Sequence, residues 1–207
     1  MRIPVAKEGW PFIVPPAAAA CILAVVGRWA PASVASALAL AFLGFFRDPE
    51  RRAPDVAGAV VAPADGKVME VADADDAWVG SAVRLSIFLS PLDVHVNRAP
   101  VAASVAGVEY RAGKFLAAYK PEASEVNERC TLELAGQEHV TVRQIAGVLA
   151  RRIVCRVRIG DRVECGERYG LIRFGSRTDL FVPRASEIRV KVGDRVRGGE
   201  TIMALLR

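Results

Sequence analysis

The chain has 207 residues, enough for one ordinary domain with a full core, and it is 52% hydrophobic with a mean hydropathy of +0.25. A formal charge of +5 and a pI near 9.3 suit an anionic partner, but the basic residues form no long block, which excludes an RNA-binding tail and points away from nucleic acid. Four cysteines (Cys21, Cys130, Cys155, Cys165) without CxxC spacing, and only His95 and His139 to join them, exclude an ordinary zinc site.

The N-terminus lacks the charged start, short apolar core and small-residue cleavage site of a secretory signal, so the cysteines are expected to be reduced and structural in a cytosol-facing chain. Residues 1–50 are expected to form one unit, an apolar helical hairpin. Trp10 to Val26 and Pro31 to Phe46 are two uncharged apolar runs separated by Gly27-Arg28-Trp29-Ala30. Each is marginal as a span, since a comfortable crossing needs roughly 20 residues, and each suits one arm of a shallow hairpin on a membrane surface. Trp10 and Trp29 bracket the first run as interfacial rings would, and Arg2, Lys7, Arg47, Arg51 and Arg52 flank the pair. The positive-inside rule then puts the rest of the chain on the cytoplasmic face of the cell membrane. The competing expectation is a hairpin buried in a soluble core.

From Ala53 onward the texture changes to short β-branched runs punctuated by glycine and proline, which predicts a mainly β (α+β) unit over 51–207, a glycine-rich small barrel or sandwich. Predicted strands include 60–62, 67–71, 83–89, 101–110, 140–145, 153–159 and 188–192. In the third, Val83, Leu85, Ile87 and Leu89 alternate as one buried sheet face requires. A short helix is the expectation for part of 115–128. Arg158-Ile-Gly-Asp-Arg-Val-Glu-Cys-Gly-Glu167 repeats as Lys191-Val-Gly-Asp-Arg-Val-Arg-Gly-Gly-Glu200, each copy reading as strand, Gly-Asp turn, short strand, Gly-Glu turn. Biotin- and lipoate-carrying hammerhead domains have similar sequences, but the lysine they modify has no counterpart here.

Three places combine reactive groups with turn residues. Asp65 lies in Ala62-Pro-Ala-Asp-Gly-Lys-Val68, where Asp-Gly is also plain turn chemistry. Asp93, His95 and Asn97 lie two apart after a predicted strand and share one face if extended, followed by Arg98; the imidazole is a candidate acid or base, with a structural role as the alternative. Gly175-Ser176, with Asp179 close behind, lacks the GxSxG frame of a hydrolase elbow. A serine can instead attack the carbonyl before it, and a glycine there removes the Cβ that would crowd the attack.

Taken in order, Phe45-Phe-Arg-Asp-Pro-Glu50, the Asp65 and His95 segments, Gly113-Lys-Phe115, Asn127-Glu-Arg129, Gln144-Ile-Ala-Gly147 and Arg173-Phe-Gly-Ser-Arg-Thr-Asp179 resemble the phosphatidylserine decarboxylase family, most closely its short form. The resemblance implies a proenzyme in which Ser176 attacks the Gly175 carbonyl to give an ester. Elimination then cuts the chain, and the dehydroalanine left behind hydrolyses to an N-terminal pyruvoyl group with loss of ammonia. A β chain (1–175) and an α chain (176–207) would stay together. The pyruvoyl carbonyl derived from Ser176 would take the substrate amine as a Schiff base, with neither a metal nor pyridoxal phosphate required, and His95 would protonate Cα after carbon dioxide leaves. Asp93, Asn97 and Arg98 become candidate substrate contacts.

Longer bacterial members that are similar around Asp93-Val-His95 carry a second histidine three residues on, thought to act with an aspartate and the serine in self-cleavage. Here that position is Arg98. Those members also read Leu-Gly-Ser-Thr where this chain has Phe-Gly-Ser-Arg. Asp65 resembles the family's aspartate, with His95 or a water left to replace its partner. The expected substrate is an anionic serine phospholipid at a membrane surface, with an archaetidylserine-type lipid as the variant. A non-enzymatic, membrane-tethered hammerhead-like module is the alternative class, and a homo-oligomer stays open.

Overall fold

The computed structural model describes residues 4–120, 122–148, 152–173 and 176–207. It divides into two compact units, Met1–Glu50 and Arg51–Arg207. In the first, α1 (Trp10–Val25) and α2 (Trp29–Phe45) form an antiparallel hairpin reversed at Gly27, whose φ of 74° suits a residue without Cβ. Phe12, near the start of α1, packs on Phe42 and Phe46 at the end of α2, with ring centroids 5.6 and 5.5 Å apart. A bridge between Val5 and Arg47 ties the two ends. Val14, Ile22, Trp29, Val34, Leu38 and Leu40 are exposed, so the hairpin leaves much of its apolar surface without protein cover. The helical stretch Lys7–Val25 is long and apolar enough, by length and composition, to cross a membrane, whereas α2 falls short.

The second unit is mainly β, as its texture predicts. Its strands are β1 (Ala59–Val61), β2 (Gly66–Asp76), β3 (Gly80–Leu89), β4 (Val96–Arg98), β5 (Ala103–Arg111), β6 (Arg129–Ala135) and β7 (His139–Ile145). They continue as β8 (Ile153–Cys155), β9 (Arg162–Val163), β10 (Arg168–Ile172), β11 (Ser176–Pro183), β12 (Glu187–Ile188), β13 (Arg195–Val196) and β14 (Ile202–Leu205), and α3 is a single turn at Ala123–Val126. An eight-stranded antiparallel sheet runs β13-β2-β3-β11-β7-β6-β5-β9, and two small sheets run β1-β14-β12 and β4-β10-β8. Strand β6 was not among the predicted strands, and the strands expected over 153–159 and 188–192 stop at Cys155 and Ile188 before their Gly-Asp turns.

The strand order is palindromic, and the repeat visible in the sequence is one half of a larger duplication. Val68 N–H bonds Asp194 O, Gly193 N–H bonds Val68 O, and Gly199 N–H bonds Ala62 O, at 2.8 to 2.9 Å. The same three bonds join Val105 to Asp161, Gly160 to Val105 and Gly166 to Ala99, at 2.8 to 2.9 Å. Each copy of the glycine hairpin therefore docks on its own Ala-Pro segment, Ala62-Pro63 before β2 or Ala99-Pro100 before β5. Even the bulges correspond, at Val68/Glu70 and at Val105/Gly107. The two halves meet at the central pair β11 and β7, where Leu180 lies opposite Val142.

Side chains alternate across the large sheet. One face carries Leu85, Ile87, Leu89, Leu132, Leu134, Val140, Val142, Leu180 and Val182, all but inaccessible, and forms the core with Val60 and Met203 of the first small sheet. Leu180→Ala, at the centre of this face, is expected to destabilise the protein by about 2–5 kcal/mol, lost transfer energy plus a residual cavity. A chemical-denaturation midpoint checks it.

Candidate active site

Ser176 is the first residue of β11, a strand whose two neighbours hold it by continuous ladders: Ser176 to Pro183 against β3, and Arg177 to Phe181 against β7. Its side chain is fully buried on the core face, and its Oγ has no hydrogen-bond partner. Gly175, the expected cleavage residue, lies outside the described residues.

On the opposite face β11 is anchored by charge. Arg177 is 1% exposed; its Nε donates to Asp179 Oδ1 at 2.6 Å and its Nη2 to Ser86 Oγ at 2.8 Å and Glu70 Oε2 at 3.2 Å. Ser124 Oγ, on α3, donates to Asp179 Oδ2 at 3.0 Å. Beside them Arg143 lies over the Phe181 ring at 4.9 Å; burial lowers its pKa, and the carboxylates of Asp179 and Asp76 oppose that shift. Asp179, close behind Ser176 in the sequence, is thus turned to the other side of the sheet, with both carboxylate oxygens taken.

His95 is fully buried just before β4, and its carbonyl accepts Ile172 N–H at 3.3 Å, in the strand that leads to Ser176. Its Nδ1 is 2.9 Å from Asp93 O. A carbonyl oxygen only accepts, so Nδ1 carries a proton. Asp93 contributes its backbone here; its Oδ2 takes Ser90 N–H at 2.8 Å, closing the turn before His95, and Arg195 approaches Oδ1 at 3.5 Å. Asp93 and His95 are therefore linked through a main-chain atom, not through the shared extended face that the spacing suggested.

Asp65 accepts both terminal nitrogens of Arg51, Nη2 to Oδ2 at 2.7 Å, and Gly198 N–H at 2.8 Å. These donors occupy both carboxylate oxygens and tie the Asp65 turn to residue 51 and to the second glycine hairpin. Arg98, a candidate substrate contact, is 2% exposed; its Nη1 donates to Gly166 O at 2.9 Å, and its Cδ packs over Gly199 where a Cβ would come within 2.6 Å. The arginine in the second histidine's place thus braces the two hairpin turns.

Asn97 is fully buried. Its Nδ2 faces Pro63 O at 3.5 Å, and its Oδ1 accepts Gln144 Nε2 at 2.7 Å. Gln144 stands between Cys130 and Thr178 on the core face, beneath Gly170, where an added Cβ would meet Val154 O at 2.4 Å and Gln144 Nε2 at 2.9 Å. Gln144 Oε1 and Thr178 Oγ1 are buried and, like Ser176 Oγ, without partners. The candidate site is this polar end of the core face, with Asn97, Gln144, Ser176 and Thr178, and with His95 two residues before Asn97 and joined through its carbonyl to the strand that leads to Ser176. Sequence reasoning quoted Gln144 inside a motif and gave Thr178 no role, because a polar residue within an alternating strand reads as solvent-facing.

Asn127, in another quoted motif, is a clamp. Its side chain bonds Leu116 N–H at 2.9 Å and the carbonyls of Leu116 and Ala146 at 2.8 Å each. Tyr169, next to Gly170, is fully buried, and burial raises its pKa well above the ordinary phenol value. Among the described residues no three His, Cys, Asp or Glu side chains converge as a metal cluster, and the four cysteines are free thiols.

The family profile described as phosphatidylserine decarboxylase matches residues 38–204. A phosphatidylserine decarboxylase proenzyme of Symbiobacterium thermophilum is 49% identical over the whole chain and 98% of that protein. Proenzymes of the same description from Desulfotalea psychrophila and Nitrosomonas europaea are 44% and 41% identical, over 98% and 97% of this chain and 96% and 94% of theirs.

The buried charges under β11 and the exposed ones elsewhere should differ sharply in weight. Arg177→Ala strands a buried carboxylate and is expected to cost about 3–5 kcal/mol. Arg184→Ala removes an exposed pair with Asp73 (2.7 Å) and should cost under about 1 kcal/mol in the same urea titration.

Proposed function

The chain belongs to the phosphatidylserine decarboxylase family, and on that premise we propose that it converts phosphatidylserine to phosphatidylethanolamine with a pyruvoyl group made from its own Ser176. The observation that carries the reading is a buried, partnerless serine hydroxyl at the start of a strand held on both sides. Such a hydroxyl has no competing acceptor to hold it back from the preceding carbonyl. The strand it begins has every reason to stay when the chain is cut before it.

In processing, Ser176 Oγ attacks the Gly175 carbonyl and the peptide nitrogen leaves the carbon. Loss of the residue-176 Cα proton then breaks the Oγ–Cβ bond, giving a Gly175 carboxylate and a dehydroalanine, and water hydrolyses the dehydroalanine to the pyruvoyl group with release of ammonia. Asp65 already has three donors on its carboxylate, so a water is left to take the serine's proton here and His95 is reserved for turnover.

In turnover, a pyruvoyl group supplies an electron-withdrawing carbonyl that takes up the charge left at Cα when carbon dioxide departs. The chain's own residues do the rest. The Arg177, Asp179 and Ser86 network fixes the strand directly behind residue 176, and the packed core face excludes water from it. His95 delivers the proton to Cα once its Nε2 is protonated. The apolar hairpin and its flanking arginines and lysines suit attachment to an anionic membrane on its cytoplasmic face.

On denaturing gels the 22.2 kDa chain should appear as fragments of roughly 19 and 3 kDa, the split in proportion to length, and the small one should be blocked at its N-terminus. Ser176→Ala should stay whole and inactive; full activity in that variant would remove the pyruvoyl mechanism. In gel filtration without denaturant the two fragments should travel together, since β11 pairs with β3 and β7, β13 with β2, and β14 with β1. His95→Ala should still be cut yet turn over about 10²–10⁴-fold more slowly. An uncut His95→Ala chain would make the ring the processing base instead.

A further inference from the structure

The duplication gives each residue of the core face a counterpart in the other half. Strands β1 and β4 correspond at an offset of 37, so Asn97 matches Val60. Strands β11 and β7 exchange about the Leu180–Val142 pair, so Gln144 matches Val182 and Thr178 matches Val140. The ladders agree: Thr178 lies opposite Ile87 as Val140 lies opposite Leu134. Val60, Val140 and Val182 are fully buried core residues. The same architecture is therefore satisfied by three valines on one side, while the Ser176 side buries two amides and a hydroxyl. A buried polar atom left unpaired costs about 1–3 kcal/mol, so packing alone does not account for the exchange.

The direction of the amides follows from a backbone atom. Pro63 O only accepts, so the Asn97 group that faces it is Nδ2, and Oδ1 is the atom turned to Gln144. Gln144 must then donate from Nε2, which leaves Oε1 as a buried acceptor without a donor. Ser176 Oγ and Thr178 Oγ1, both able to donate, do not reach it, since all three atoms are partnerless in the uncut chain. The donor that completes Gln144 comes from outside the fold.

We propose that Gln144 Oε1 accepts an N–H of the substrate's serine amino group, with Asn97 as the positioning residue that fixes the amide's direction. This rests on the decarboxylase reading above and adds the head-group contact to it. The acceptor lies on the same face as Ser176, on the strand next to β11, within reach of an amine brought to residue 176. A neutral amide suits this task. It takes an N–H without adding a buried charge, and it leaves a head group with no N–H unsatisfied, the contrast from which polar specificity arises.

The test uses full-length, self-cleaved protein in detergent, reduced with borohydride so that binding is read without turnover. The ligands are a short-chain phosphatidylserine and its N,N,N-trimethyl counterpart. Gln144→Met should be cut normally, bind phosphatidylserine about tenfold more weakly, the worth of one charge-assisted hydrogen bond, and bind the trimethyl lipid unchanged. Asn97→Leu should act in the same direction. Unchanged phosphatidylserine affinity in Gln144→Met, or an equal loss for both lipids, would overturn the proposal. If Gln144→Met fails to fold, Gln144→Glu keeps the acceptor and should bind phosphatidylserine at least as tightly, and weaker binding there overturns it equally. A wild-type chain that is never cut contradicts the decarboxylase reading itself, a separate outcome on the same gel.

Discussion

The pairing of β11 on both sides, Ser176–Pro183 to β3 and Arg177–Phe181 to β7, is the constraint on which the rest of the architecture depends. On the proposed self-cleavage, a chain that cuts its own backbone and uses the new terminus as a reagent must hold that terminus afterwards, when chain connectivity no longer does. An edge strand or loop would fray once cut. A central strand with ladders on both sides and a buried guanidinium directly behind residue 176 does not, because these anchors run across to neighbouring strands. The remaining strands after 176 extend the same logic, since β13 and β14 each add to a sheet supplied by the larger piece.

The duplicated frame explains how a site can exist in so small a unit. A pseudo-symmetric β core is overdetermined: two copies of the glycine hairpin close its two ends with the same hydrogen bonds. One half can keep a fully apolar face while the other carries polar exceptions, and the shared frame absorbs their cost. Asn97, Gln144 and Thr178 are such exceptions, and Gly170 provides room for them because any side chain there would strike Val154 O. Asp65 and Arg98 also brace the frame, the first holding the turn against Gly198 and the second holding the turns at Gly166 and Gly199.

Much of this was legible in the sequence, for physical reasons that can be named. Alternation in Val83 to Leu89 gave the core face of β3, and the uncharged runs before residue 47 gave the hairpin. The Gly-Asp-Arg-Val repeat gave the turns, because positive φ demands glycine at Gly160 and Gly193. The rest needed coordinates. The partners of the two hairpins share only an Ala-Pro and a later valine, too little to be read as a repeat. Asp179 lies three residues from Ser176, but an odd step along a strand turns it to the opposite face. His95 and Asp93 are two apart and still meet through a carbonyl, since the chain there is a turn and not yet a strand. Arg98 occupies a position that suggested chemistry, and its bond to Gly166 O and its packing on Gly199 are visible only in the coordinates.

The division of polarity across the central strand carries one more step. Charges are placed where they can be saturated, on the face of Arg177, Asp179, Glu70 and Ser86, with Ser124 of α3 completing Asp179. The face of Ser176 holds neutral groups: two hydroxyls, and an amide chain whose polarity is set by a backbone carbonyl. A fixed charge there would have to be desolvated before any substrate arrived, and an isolated carboxylate in such a place would take up a proton instead. The serine head group supplies both an ammonium and a carboxylate. A neutral, oriented lining accepts the first and still lets the second leave as an uncharged gas, whereas a cation opposite the carboxylate would stabilise the ground state most strongly. Backbone carbonyls at Asp93 and Pro63, themselves fixed by the fold, therefore do what charged side chains do elsewhere: they decide which way each functional group points before the lipid binds.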